Sequence, residues 1–98
     1  MLMQSQPADI KEKTRRYMLM LEQAIEKVDI ATGEQSYLRK VAEDYMNMAR
    51  SYYHDGVHFM EAEDLVNALV CFSYGHAWLD AGIRLGVFKA NDETLFAI

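Results

Sequence analysis

Between Asp64 and Phe88 the chain reads DLVNALVCFSYGHAWLDAGIRLGVF, a helical pattern with apolar residues on every side. At about 100° per residue, Leu65, Leu69, Phe72, His76, Leu79 and Ile83 fall on one line, and Ala68, Gly75, Gly82 and Gly86 fall on a second. Val66, Val70, Tyr74, Ala77, Ala81 and Leu85 make a third. A helix on the surface of a globule normally carries one apolar stripe and a polar back. This one is therefore the centre of a bundle or an association surface, and either role calls for other helices packed around it.

The rest of the chain supplies them. From Pro7, a residue suited to a first helical turn, Ile10, Tyr17, Leu21, Ala24 and Val28 recur at helical spacing, widened by Met18 and Ile25. Lys11, Glu12, Arg15, Glu22, Glu26 and Lys27 occupy the other side, so an amphipathic helix is expected over 7–29. Thr32 with Gln35 fits a capping box, with Ser36 as the alternative cap. A second helix over 35–61 places Leu38, Val41, Ala42, Tyr45, Met48, Ala49, Tyr52, Gly56 and Phe59 on one face. Asp64 is a natural N-cap for the third helix, over 64–85, and Gly86 can end it in the left-handed conformation. Two connections this short force neighbours to run antiparallel. The expected fold is an all-α, up-down-up three-helix bundle, one domain over 1–98. Residues 89–98 form a short tail whose Leu95, Phe96 and Ile98 either fold back on the third helix or end in disorder. Gly75 and Gly82 share a side of the third helix with Ala68 and would let a partner backbone come close, with Gly56 the candidate facing position.

Composition narrows the function classes. Of the 98 residues 51% are hydrophobic, which favours a folded domain over disorder. The net charge of −5 disfavours nonspecific nucleic-acid binding, which depends on neutralising phosphates. A basic cluster at Lys11, Lys13, Arg15 and Arg16 is diluted by Glu12, Glu22 and Glu26. Cys71 is the only cysteine, so no intramolecular disulfide forms, and a small buried hydrophobe in a reducing compartment is the expectation. The N-terminal MLMQSQPADIKEK lacks a signal-peptide run, and the most apolar helix carries Asp80 and Arg84. A cytoplasmic protein that does not span a membrane is expected.

The phrase Asn67-Ala68-Leu69, followed by Phe72 through Gly86, resembles a signature of a family of small archaeal proteins, the domain-of-unknown-function family numbered 357. The resemblance extends upstream through Leu38–Asp44 and Ala49–Tyr53, so that it covers most of residues 10–88. It implies a small helical bundle in an archaeal cytoplasm and brings no established activity, cofactor or catalytic residues. One departure stands out. At the second turn the chain has Glu61-Ala62-Glu63-Asp64 where the family pattern leads one to expect a glycine before the aspartate.

His76, Asp80 and Arg84, at successive spacings of four, form the best polar constellation. Asp80 could orient His76 as a general base, or the three could hold an anionic ligand beside Trp78. The structural alternative is a core histidine satisfied by Asp80, with Arg84 pairing the carboxylate. His54-Asp55-Gly56-Val57-His58 is only a poor likeness of a zinc-binding helix motif, because it has aspartate for glutamate, a glycine in the middle and no evident third ligand. Neither a metal nor a cofactor is expected. Tyr74 and Trp78, with Val70, Ala77, Ala81 and Leu85, form an apolar patch of the kind that marks an interface. The expected function is a non-enzymatic interaction module, a homodimer through the third helix, with an unidentified protein partner as the other possibility. The alternative is a small enzyme or ligand-binding domain centred on His76, Asp80 and Arg84.

Overall fold

The computed structural model describes residues 7–91 and Phe96. Helix α1 spans Ile10–Lys27. It begins at Asp9, whose carboxylate accepts from the backbone N–H groups of Lys11 and Glu12, satisfying donors that a first turn leaves unpaired. Pro7, expected inside that turn, precedes the cap. Leu21, Ala24 and Val28 are buried, as their spacing requires, but Ile10 is exposed. Its place in the stripe is taken by Thr14, which is fully buried and donates a long hydrogen bond of 3.4 Å to the Leu65 carbonyl.

Helix α2 spans Tyr37–Glu61 and is capped by Ser36, whose hydroxyl accepts from Leu38 N–H at 3.1 Å. The Thr32–Gln35 capping box does not form. The chain just upstream is extended, and a turn closed by Ser36 N–H on Gly33 C=O occupies the positions where an earlier helix would start. The Thr32 hydroxyl is instead buried, with no hydrogen-bond partner among the described residues.

Helix α3 spans Leu65–Leu85, with Asp64 accepting from Asn67 N–H at its start. At its end Val87 N–H reaches Gly82 C=O, Gly86 N–H reaches Ile83 C=O, and Gly86 adopts φ 91°. This is a Schellman ending, and glycine is the residue that makes it without steric cost. Helix α2 ends in the same pair of bonds, Asp64 N–H to Phe59 C=O and Glu63 N–H to Met60 C=O. There the left-handed position, φ 62°, is held by Glu63. The glycine expected before Asp64 is therefore the residue this geometry favours, and its absence leaves the turn intact but strained. Glu63→Gly is expected to stabilise the protein by about 1 kcal/mol, read as a higher urea midpoint with an unchanged slope.

Contacts along the helices fix the topology. Tyr45 meets Trp78, Tyr52 meets Tyr74 and Gly56 meets Phe72, so α2 and α3 are antiparallel. Thr14 lies by Leu65 and Leu21 by Gly75, so α1 runs parallel to α3. The bundle is up-down-up, and α1 and α2 each lie mainly on α3 rather than on each other. Two short strands, β1 (Asp29–Ile30) and β2 (Phe88–Lys89), pair antiparallel after the ends of α1 and α3. They tie those two ends together and carry Val87 and Phe88 into the core. Phe96 is buried as well, so this part of the tail folds back; Leu95 and Ile98 lie outside the described residues. The glycines serve these contacts. Gly75 faces Leu21 of α1 and Ala49 and Tyr52 of α2, Gly56 makes room for the Phe72 ring, and Gly82 makes room for Phe88. Gly56 thus faces an aromatic ring, and Gly75 faces Ala49 and Tyr52 of α2 in its stead.

Candidate functional site

Two helices cannot cover a third that is apolar all round, and the structure shows which arc of α3 they leave. Ala68, Cys71, Phe72, Gly75, Leu79 and Gly82 are buried against α1, α2 and β2. On the opposite side Val66 (66% exposed), Val70 (58%), Tyr74 (53%) and Leu85 (52%) face solvent. Ala77 and Ala81 lie between them, both exposed. The stripe runs about 28 Å along the axis at 1.5 Å per residue. Charge enters only near its end, at Arg84. Val66, on the same line of the helix but outside the expected patch, belongs to this face. Trp78 does not. Its ring packs edge-on against Tyr45 at 5.0 Å, because its position turns it toward α2. Tyr74 stands at the border, 4.9 Å from the Tyr52 ring and 6.5 Å from Trp78. A row of aromatic rings therefore seals the α2–α3 seam and holds the exposed stripe on a fixed base.

His76 Nδ1 lies 3.1 Å from Asp80 Oδ2, both side chains largely buried. A carboxylate only accepts, so the Nδ1 proton is donated to it. The imidazole also faces Phe96, with ring centroids 5.8 Å apart. Its Nε2 is buried, without a hydrogen-bond partner among the described residues. Arg84, one turn further along α3, is exposed. Of the expected three residues, His76 and Asp80 are joined by the Nδ1–Oδ2 contact, and one further turn of the helix carries Arg84 round toward solvent. What this arrangement does physically is join the tail to α3. His76→Ala removes the hydrogen bond and the ring contact together, and is expected to lower stability by about 1 kcal/mol, measured by thermal melting.

His54 and His58 are exposed on either side of the buried Gly56. Among the described residues no group of three or more His, Cys, Asp or Glu side chains is placed to hold a metal ion. Burial, and secondarily the charge of Asp55, push the Cys71 thiol above its ordinary value, opposite to the lowered pKa of a reactive thiol. Tyr53 donates to Glu22 at 2.8 Å, bracing α2 against α1. Its phenol is raised by burial, by this hydrogen bond and by the charges of Glu22 and Glu26. Where α1 and α2 diverge, an open groove of about 1070 Å³ has Ile25, Val28 and Met46 among its apolar lining and Arg39, Arg50 and Glu43 among its charged lining. Arg39 faces Glu43 at 3.5 Å there, so part of its charge is already answered within the groove. Among the described residues no helix is long and apolar enough to cross a membrane.

Architecture and site together define a small all-α protein, a three-helix bundle whose central helix keeps one apolar face bare. Residues 16–88 match the family described as protein of unknown function, DUF357, and the chain belongs to that family. Its fold is similar to that of protein AF1782 from Archaeoglobus fulgidus, a crystal structure carrying the same family assignment. The TM-score is 0.67 at 23% identity, covering 84% of this chain and 93% of that one. Identity at that level speaks for the fold alone. Comparison with curated proteins gives no match.

Proposed function

We propose that the protein is a non-enzymatic interaction module that pairs with a second copy of itself through the outer face of α3. The observation that carries this reading is the uninterrupted stripe Val66, Val70, Tyr74, Ala77, Ala81 and Leu85 on the uncovered side of a rigid helix. An exposed β-branched residue contributes little to helix stability, whereas contiguous apolar surface on a folded domain is the feature that interfaces share. The polar pair beneath the tail favours this reading over catalysis, because Asp80 and Phe96 both bear on His76.

Association of folded chains makes the melting temperature rise with protein concentration. The wild-type protein is expected to show that rise. Val70→Asp, a change at a half-exposed site that leaves the core untouched, is expected to abolish it while retaining the helical circular dichroism. A melting temperature independent of concentration in both proteins would remove the proposal.

A further inference from the structure

The outer face of α3 consists of two rows of residues four apart: Val66, Val70 and Tyr74 in one, and Ala77, Ala81 and Leu85 in the other. Their spacing is symmetric about a point between Gly75 and His76. On the premise that the chain pairs with itself through this face, we infer that two copies join by antiparallel contact of their α3 helices, with the two-fold axis at that point. At the two central pairs a large residue then meets a small one. Tyr74 lies over the second copy's Ala77 and Val70 over its Ala81, so large residues of one helix enter the space above the alanines of the other, and Val66 packs beside the second copy's Leu85 at each end. An isologous interface requires this reciprocity, in which a residue contacting a second one is answered by the same contact on the other side of the axis.

Charge chooses the same direction. The N-terminal end of α3 follows Glu61, Glu63 and Asp64, whereas its C-terminal end carries Arg84. Antiparallel pairing brings Arg84 of each copy toward the acidic end of the other and opposes the helix dipoles favourably. Parallel pairing would set arginine against arginine and acid against acid. It would also place Tyr74 on Tyr74 and leave the alanines facing each other across a gap.

The direction can be measured in the full chain. With Cys71→Ala removing the native thiol, Asn67→Cys provides a single exposed attachment point near the start of α3 for a spin label. Antiparallel pairing about this axis sets the two labels about 25 Å apart along the helices. Parallel pairing sets them at about the interaxial distance, roughly 10 Å. A separation near 25 Å that disappears when Ala77→Glu is added is the expected result. A separation near 10 Å, or one that Ala77→Glu leaves in place, overturns the arrangement. The mass of the labelled protein, measured in the same samples, separates the two levels of failure. A two-chain mass with the wrong separation sinks this geometry alone, whereas a one-chain mass throughout sinks the self-pairing on which it rests.

Discussion

Replacing Phe72 by alanine is expected to lower stability by about 3–5 kcal/mol, the largest single effect in the molecule. The ring is fully buried in the middle of α3. It occupies the space that Gly56 leaves open on α2 and lies 6.1 Å from the Tyr53 ring. No side chain on Gly56 stands ready to fill the cavity. For a domain of this size each kcal/mol shifts the melting temperature by roughly 4–8 °C, so the loss is readable by calorimetry even if the variant is only marginally folded. The contact also makes a specific claim about coupling. Gly56→Ala alone forces a methyl group into the Phe72 ring and should destabilise. In the Phe72→Ala background the same change meets no ring, and the higher helix propensity of alanine, up to about 1 kcal/mol, should make it neutral or stabilising. A double-mutant cycle with no interaction between the two sites would contradict this packing.

Gly75→Ala is the second large effect, a destabilisation of about 1–3 kcal/mol despite alanine's better helix propensity. A Cβ at this position would stand 2.9 Å from Leu21 Cδ2, 3.0 Å from Tyr52 Cβ and 3.2 Å from the Ala49 carbonyl oxygen. Leu21 can rotate away, but the other two atoms move only with the backbone of α2. The substitution therefore pushes α2 off α3 at the point where all three helices meet. Urea denaturation checks it, and a gain in stability would mean that the helices are less closely packed than their contacts indicate.

Much of this arrangement is legible in the sequence because it rests on periodicity over many residues. The stripe from Leu21 to Val28, the Asp64 cap and the Gly86 ending follow from spacing and residue type alone, and Gly75 announces a close approach by its cost. What escapes is short or nonlocal. Two-residue strands carry no period, so the pairing of Ile30 with Phe88 leaves no trace beyond an apolar Val87-Phe88 after the helix-ending glycine. Thr14 reads as a polar interruption of its stripe, and only the nearby Leu65 carbonyl shows why a hydroxyl is accepted there. Within the candidate site the bare stripe of α3 could be read from its wheel positions. The separation of Trp78 from it could not, since that depends on where Tyr45 of α2 stands. The exposure of Arg84, beside a partly buried His76 and Asp80, has a helical cause. Spacing by four brings neighbours within reach, but each step turns the helix by a further 40°, and after two steps the third residue has left the buried side.

The bare face of α3 is the feature from which the functional reading follows, and its test is the solution mass of the wild-type chain over a dilution series. A single-helix stripe lies at the small end of specific interfaces, so the series should extend to roughly 1 mM, the weak end of the affinity scale. The expected result is a mass approaching twice the 11.3 kDa of one chain at the concentrated end, falling toward one chain on dilution. A mass of one chain at every concentration, from protein that melts cooperatively, would contradict it.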